Sequence, residues 1–217
     1  MITFTEENYL KNLLLLSMEH EGVSVLMLSK KLGIKMPTVT SMMKKFAVKG
    51  FVNFSPYKQI TLTASGKSEA LLVLRKHRLT ETFLTRVMGI GWEEVHSIAE
   101  QIEHIQSPLF FGKMDEMLHY PETDPHGEPI PTKEGVLIQQ PKMRLSACRV
   151  GETVRLTGVN DSSKEFLTFL NSKGLKPGVR GKIEHVEPYD SSLTIICGDR
   201  KEVLSKTIAD KVLVELM

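Results

Sequence analysis

The segment from Tyr120 to Pro131 interrupts regular secondary structure, so that no helix or strand can run through it from one part of the chain into the other. It contains four prolines and one glycine in twelve residues. Proline has no amide hydrogen to donate inside a helix or a central strand, so this segment is neither. Helical patterns precede it, and short strand patterns follow from residue 148. The sequence therefore predicts a mainly α protein with a small β domain.

Composition excludes several classes of protein. The 217 residues are enough for two small domains, and 41% hydrophobic and 25% charged residues are ordinary for a globular protein. The net charge of +2 does not by itself indicate nucleic acid. Cys148 and Cys197 form no C-x-x-C pair, which excludes a zinc ribbon. The acidic N-terminus and the lack of a membrane-length apolar stretch predict a cytoplasmic protein that contacts no membrane.

The first 64 residues have the pattern of a winged helix-turn-helix. Helices are predicted over residues 5–22, 25–32 and 37–50, with Thr5 as the first N-cap and glycines at the ends. The period then changes to two over 51–54 and 59–63, which predicts a β-hairpin. Three short helices followed by a hairpin are typical of this DNA-binding unit.

The predicted helix-turn-helix coincides with a local excess of positive charge. Residues 30–49 contain six lysines and no acidic residue. A solvated helix face explains many such runs, but here the third helix is the one that enters the major groove in this fold. The residues expected to contact base edges or phosphates are Lys35, Pro37, Thr38, Ser41, Lys44, Lys45 and Lys58 of the hairpin.

Histidines and carboxylates recur at helical spacing further along the chain. His77 and Glu81 are four residues apart, and a helix over 93–106 places His96, Glu100, Glu103 and His104 within an arc of about 100°. The apolar residues of that stretch fall on the opposite side. Imidazole and carboxylate suit divalent transition metals, although such pairs also occur on ordinary solvated helices. We expect one face of this helix to pack and the other to be lined with imidazole and carboxylate groups that bind a metal.

The remaining elements complete four predicted regions. Helices are expected over 66–88 and 93–106, and a shorter one follows, with interruptions at Pro108 and Gly112. Beyond residue 148, strands over 153–156, 181–185, 193–197 and 211–216 and a helix over 164–172 predict a small β-barrel. The predicted regions are a DNA-binding domain (1–64), a helical metal-binding and dimerisation domain (65–131), a linker (132–147) and the barrel (148–217).

Several ordered motifs resemble one family over nearly the whole chain. Among them are Thr5–Leu10, Leu62–Gly66, Arg75–Leu79, Ile102–His104 and Pro125–Pro131. They resemble the DtxR/MntR family of metal-dependent transcriptional repressors. The resemblance implies a winged helix-turn-helix, a helical dimerisation domain and an appended SH3-like or FeoA-like β-barrel. It also implies a homodimer that binds double-stranded operator DNA of metal-uptake genes, with Mn²⁺ or Fe²⁺ as corepressor.

The resemblance also implies which residues bind metal. The core site falls on Asn8, Glu100, Glu103 and His104, and the second site on His77, Glu81 and His96, with Glu165 as a candidate donor from the barrel. Asn8 offers a neutral amide oxygen where the family usually has Asp or Met. Lys11 stands where some manganese regulators have an acidic ligand, which argues against a tightly spaced pair of metals.

Residue 100 bears on which metal binds. Iron-type members commonly carry Cys there, and the Glu100 carboxylate favours Mn²⁺ over softer ions. An Fe²⁺-responsive regulator of the same family is the nearest alternative. A metallohydrolase, or a winged-helix regulator that senses an organic ligand, is a more distant one.

Overall fold

A computed structural model describes residues 2–138 and 141–217; residues 139 and 140 of the predicted linker lie outside the described residues, as does residue 1. Across the described residues, every helix is too short or too polar to span a bilayer. The helices are α1 (Phe4–Glu19), α2 (Val25–Leu32), α3 (Met36–Val48), α4 (Ala64–Arg86), α5 (Val95–Ile102), α6 (Pro108–Met117), α7 (Lys164–Ser172) and α8 (Lys206–Ala209). The strands are β1 (Val52–Asn53), β2 (Thr61–Leu62), β3 (Met143–Arg144), β4 (Thr153–Val159), β5 (Arg180–Val186), β6 (Leu193–Cys197), β7 (Arg200–Leu204) and β8 (Val212–Leu216).

The described chain forms two compact units. The first comprises the described part of Met1–His77 together with Glu100–Phe111 and Ile130–Ile138. The second comprises Arg78–Ala99, Gly112–Pro129 and the described part of Gln139–Met217. The division falls inside α4, α5 and α6, so each of these helices contributes residues to both units.

Helix α1 begins earlier than the sequence predicted. Thr3 is the N-cap, and its hydroxyl accepts from the Glu6 amide while the Glu6 carboxylate accepts from the Thr3 amide at 2.9 Å. A capping box needs Glu at the third helical position. That position is Glu6 when Thr3 is the N-cap, but it would be Asn8 if Thr5 were the N-cap. The predicted cap at Thr5 was therefore wrong, and so was the predicted end near Gly22, because α1 ends at Glu19.

The first unit is a winged helix-turn-helix with its own apolar core. Tyr9 of α1 and Phe46 of α3 are buried and meet edge to face, with ring centroids 6.4 Å apart. Helix α2 has the predicted bounds, since Ser24 caps its start and Gly33 ends it in the left-handed conformation. Strands β1 and β2 pair antiparallel as the wing and are shorter than predicted.

Helix α5 is shorter than the predicted 93–106, and this changes the position of two candidate ligands. It ends at Ile102, so Glu103 and His104 lie in the turn that follows. Glu103 has no exposed surface and His104 is 8% exposed, whereas His96 and Glu100 remain about half exposed. The prediction that all four residues line one face of a single helix was wrong, because the helix ends before Glu103. Gly112, predicted to interrupt a helix, lies inside α6.

The second unit contains a six-stranded antiparallel sheet in the order β3-β8-β4-β5-β6-β7. Its apolar side includes Leu156, Ile183, Ile195 and Val212, which are almost fully buried. Helix α7 has the predicted bounds, and β6 has those predicted for the third strand. Strands β3 and β7 and helix α8 were not predicted from the sequence.

Residues 120–129 of the proline-rich segment form a loop of the second unit. Asp124 Oδ1 accepts from the amides of His126 and Glu128, both at 2.8 Å. The Val159 amide of β4 donates to the His126 carbonyl at 2.9 Å. Gly127 approaches this strand so closely that a Cβ there would lie 2.1 Å from the Thr157 carbonyl oxygen. These contacts fix the position of the His126 backbone.

We predict that Glu6→Gln lowers the free energy of unfolding by about 1.5–3 kcal/mol at pH 7, as expected for lost hydrogen bonds to a charged group. Burial alone would raise the pKa of Glu6, but Lys49, the Thr3 amide and Lys45 outweigh it and lower the pKa from 4.5 to about 2. The stabilisation from its ionisation is complete above pH 4.5 and is lost as the pH falls towards 2.

Urea denaturation at several pH values measures this effect. The difference between wild type and Glu6→Gln should narrow below pH 4.5. Glu19→Gln, which changes an exposed carboxylate of the same helix, should have little effect at any pH. A difference that stays constant from pH 7 to 2 would contradict the assigned pKa.

Candidate metal centre

A buried carboxylate, Glu103, lies at the centre of a polar cluster in the first unit. Its Oε2 is 2.5 Å from His77 Nδ1 and 2.8 Å from Lys11 Nζ. Its Oε1 is 2.7 Å from Lys11 Nζ and 3.5 Å from His104 Nε2. Burial alone would raise the pKa of Glu103, but His77 and the Lys11 ammonium outweigh it and hold the pKa below its usual range. Glu103 is therefore ionised at neutral pH.

Lys11 supplies the positive charge in this cluster. Its side chain is almost fully buried, and its Nζ also lies 3.7 Å from Glu100 Oε1. Lys11 follows Glu7 by four residues and Asn8 by three, so the three side chains share one side of α1. The sequence had indicated only that Lys11 replaces an acidic ligand, not that it contacts both glutamates.

Glu7 orients the imidazole of His104. Glu7 Oε2 lies 2.6 Å from His104 Nδ1, and Glu7 Oε1 accepts from Gln106 Nε2 at 2.7 Å. Because a carboxylate only accepts, Nδ1 carries the proton and donates it, which leaves the Nε2 lone pair free in the neutral ring. The Phe4 ring stacks on the His104 imidazole, with the ring centroids 5.2 Å apart. His104 therefore turns a basic nitrogen towards Glu103.

A buried oxygen without a hydrogen-bond partner lies in the predicted core site. Asn8 Oδ1 is such an atom, as are Tyr9 Oη and Thr85 Oγ1 outside that site, among the described residues. Buried acceptors are normally satisfied, so an unpaired one calls for an explanation. In the same predicted site, Glu103 Oε1 has no partner of hydrogen-bond geometry, although the Lys11 ammonium lies 2.7 Å from it. Carboxylate and amide oxygens with one imidazole nitrogen form a donor set suited to a divalent ion such as Mn²⁺ or Fe²⁺.

A second group of ligands lies in the second unit around Glu81. Glu81 Oε1 is 3.2 Å from His96 Nδ1, which pairs two residues of the predicted second site. Glu81 also belongs to a group that we call the carboxylate–imidazole cluster, formed by Glu81, Asp124 and His126. All three residues are buried, and one potential ligand atom from each lies within 4.8 Å of the others.

The tautomer of His126 directs a nitrogen into this cluster. His126 Nε2 lies 2.9 Å from the Trp92 carbonyl oxygen, which can only accept, so Nε2 carries a proton. Nδ1 therefore faces Glu81 Oε2 at 3.7 Å and Asp124 Oδ2 at 4.0 Å. The Trp92 ring stacks on the imidazole at 5.8 Å and fixes its plane.

The carboxylate–imidazole cluster has more negative than positive charge, although Arg78 Nε lies 3.7 Å from Asp124 Oδ2. Burial and the neighbouring Glu81 raise the pKa of Asp124 to about 6. Burial lowers the pKa of His126, but Glu81 and Asp124 outweigh it, so the pKa is raised overall. A proton bound to Asp124 or His126 would offset part of this negative charge. Binding of a divalent cation to such ligands releases protons.

The structure distributes the predicted ligands between these groups. His77, predicted for the second site, contacts Glu103, and it lies one helical turn before Glu81 on α4. Glu165 is exposed in the first turn of α7 and, among the described residues, joins neither group. Sequence analysis missed Glu7, Asp124 and His126 as site residues. The Pro125-His126-Gly127 motif was visible, but spacing alone could not place it beside Glu81.

The residues predicted to contact DNA are exposed in the structure. Lys35, Pro37, Thr38, Ser41 and Lys44 are exposed at the start and along the outer side of α3. Lys58 is exposed in the wing. Lys45 is exposed too, but its Nζ is also 3.0 Å from the buried Glu6 carboxylate. Lys35 at the N-cap and Thr38, Ser41, Lys44 and Lys45 within α3 thus form an exposed polar surface.

Three family models match successive parts of the chain. They describe the N-terminal DNA binding domain of iron dependent repressors (residues 1–60), their metal binding and dimerisation domain (63–132) and a FeoA domain (143–216). Among curated relatives, the iron-dependent repressor IdeR of Mycobacterium tuberculosis (strain ATCC 25618 / H37Rv) is 30% identical over 225 residues, with 97% of this chain and 96% of IdeR covered.

Solved structures agree with these matches. A manganese-dependent transcriptional repressor in complex with manganese has a TM-score of 0.83 at 30% identity, with 97% of this chain and 99% of that chain covered. The IdeR structure from T. acidophilum has a TM-score of 0.74 at 28% identity, with 100% and 99% covered. The predicted resemblance is therefore confirmed, and the chain belongs to the DtxR/MntR family of metal-dependent transcriptional repressors.

Proposed function

We propose that this protein represses metal-uptake genes by binding operator DNA as a homodimer, with Mn²⁺ as corepressor. The observation that carries the proposal is the buried site formed by Glu103, His104 and the unsatisfied Asn8 oxygen. Asn8 belongs to α1, which packs against the recognition helix α3. It acts as a regulator rather than an enzyme, and in the cytoplasm. Fe²⁺ is the alternative corepressor.

Asn8, Glu100, Glu103 and His104 would hold the metal of the core site. None of them is a thiolate, and three offer oxygen, which favours Mn²⁺ over softer ions. When bound, the ion supplies two positive charges to a site that holds buried negative charge. For the second site, Glu81 contacts both His96 and His126, so Asp124 and His126 join the predicted His77, Glu81 and His96 as candidate ligands.

The core site is linked to the recognition helix through α1. One side of α1 carries Glu7, Asn8 and Lys11, and another side packs Tyr9 against Phe46 of α3. Any change in the position of α1 is therefore transmitted to α3. A shift from 1:99 to 99:1 between inactive and active arrangements requires a differential metal affinity of about 5.5 kcal/mol.

The DNA interface follows from the exposed surface of α3. A twofold dimer would present two such helices to half-sites separated by whole turns of the double helix. Thr38 and Ser41 are placed to contact base edges or phosphates. Lys35, Lys44, Lys45 and the wing lysine Lys58 are placed to contact phosphates, with Lys45 shared with Glu6.

We predict that metal removal abolishes specific DNA binding. The protein is stripped with a chelator and titrated against a promoter fragment of its own operon by fluorescence anisotropy, without metal, with Mn²⁺ and with Mg²⁺ as control. Binding should return with Mn²⁺ and weaken steeply with added salt. Equal affinity of the stripped and loaded protein would instead support a regulator that senses an organic ligand. Hydrolytic activity of the loaded protein would support a metallohydrolase.

We predict that Glu7→Ala lowers Mn²⁺ affinity by about 10- to 100-fold, the usual loss when a carboxylate that orients a histidine ligand is removed. The reason is that His104 then loses the acceptor of its Nδ1 proton. Calorimetric titration measures the affinity, and Glu19→Ala is the control, because it removes an exposed carboxylate from the same helix. If Glu7→Ala kept the wild-type Mn²⁺ affinity, that result would contradict the assignment of His104 as a metal ligand oriented by Glu7.

We predict that Lys44→Ala and Thr38→Ala weaken DNA binding differently. Lys44→Ala should weaken binding to all sequences alike and reduce the slope of log affinity against log salt by about 1. Thr38→Ala should weaken binding to the operator more than to unrelated DNA, because a base contact depends on sequence. Lys67→Ala, an exposed lysine at the start of α4, serves as control. Identical losses on both DNAs for Thr38→Ala would exclude a base contact.

A further inference from the structure

Lys11 occupies an unusual position for a lysine. Its side chain is only 3% exposed, and its ammonium lies 2.7 and 2.8 Å from the two oxygens of Glu103. A lysine is almost never fully buried unless it is paired with an opposite charge. Glu103, which has no exposed surface, provides that charge, so each residue makes the burial of the other possible.

The ammonium also lies beside the other carboxylate of the predicted core site. Glu100 Oε1 is 3.7 Å from Lys11 Nζ, so one positive charge faces both acidic candidate ligands. The third oxygen donor, Asn8, is neutral. Without a metal ion, Lys11 is therefore the fixed cation nearest to these donors.

From this geometry, we propose that Lys11 is a resident counter-cation that a divalent metal must displace from Glu103, so that Lys11 sets the metal concentration at which the protein responds. The inference rests on the proposed function. A carboxylate that bonds a metal ion gives up lone pairs that here face the ammonium, and two cations that close together repel each other. The flexible four-carbon stem of lysine allows the ammonium to withdraw.

The consequence is that metal entry breaks an ion pair before it forms a new one. The free energy of the Lys11–Glu103 pair is then subtracted from the affinity of the site for metal. The pair stabilises the metal-free protein and weakens metal binding. A lysine with a purely structural role would stabilise both forms equally and leave the affinity unchanged.

The test compares Lys11→Met, which removes the charge at similar length, with Lys11→Arg, which keeps it. Lys49→Met is the matched control, because it also removes a lysine that pairs with a buried glutamate of α1, Glu6, away from the predicted ligands. All proteins carry Glu81→Gln, so that calorimetric titration with Mn²⁺ reports the core site alone. Thermal denaturation with a chelator, and then with Mn²⁺, gives a second readout.

We expect Lys11→Met to bind Mn²⁺ about 10- to 100-fold more tightly than its parent, equivalent to about 1.4–2.7 kcal/mol. Its melting temperature should be lower without metal and should rise more on addition of Mn²⁺. Lys11→Arg and Lys49→Met should keep the parental affinity. If Lys11→Met does not fold without metal, Lys11→Gln takes its place, because its neutral amide removes the charge but can still donate a hydrogen bond to Glu103.

Two results would overturn the inference. Mn²⁺ affinity of Lys11→Met, or of Lys11→Gln in its place, that is equal to or weaker than that of the parent removes Lys11 as a competitor but leaves the proposed function intact. Absence of Mn²⁺ binding by both parent and Lys11→Met would overturn the proposed function as well, and this inference with it.

Discussion

The pairing of the buried Glu103 carboxylate with Lys11 and His77 is the interaction on which the first unit depends. An ionised carboxylate costs several kcal/mol to remove from water, and it persists only where positive charge and hydrogen bonds replace the solvent. Lys11 comes from α1, His77 from α4, and Glu103 from the turn after α5. A single charge thereby ties three separate parts of the chain together. The same carboxylate is the central donor of the candidate metal site, so stability and metal binding depend on the same atoms.

The first turn of α1 extends this network in two directions. Glu6 and Glu7 are adjacent, and carboxylates there also interact favourably with the positive end of the helix dipole. Glu6 pairs with Lys45 and Lys49 near the end of α3, whereas Glu7 holds His104. Two neighbouring residues therefore connect the recognition helix and the metal site to one rigid turn. This arrangement gives a physical route from ligand to DNA-binding surface within one compact unit.

Much of this fold could be predicted from the sequence, because local signals determine it. Helices α2 and α7 have the predicted bounds, since each lies between a serine cap position and a nearby glycine. Strand β7 was missed because an edge strand that begins Arg200-Lys201-Glu202 has little of the apolar alternation that marks a strand. Glu103 and His104 were placed on the same helical face as His96 and Glu100 because helical spacing does not reveal where a helix ends. The partners of Lys11 and His126 depend on tertiary contacts, and a single sequence holds no signal for them.

In each of the two candidate sites, a different cation balances the negative charge of buried carboxylates. In the first unit, the Glu103 carboxylate is balanced by the Lys11 ammonium, which lies 2.7 Å from it. In the second, the Glu81 and Asp124 carboxylates face the His126 imidazole. The pKa of Asp124 is raised to about 6 and that of His126 is also raised, so both groups favour a bound proton that offsets the negative charge. A metal that enters the first site competes with an ammonium tethered to α1, so its binding acts directly on a helix that packs against the recognition helix. A metal that enters the second competes with protons from solvent, so its binding acts on the proton balance of that unit. The core site is therefore the one whose occupancy bears most directly on the recognition helix.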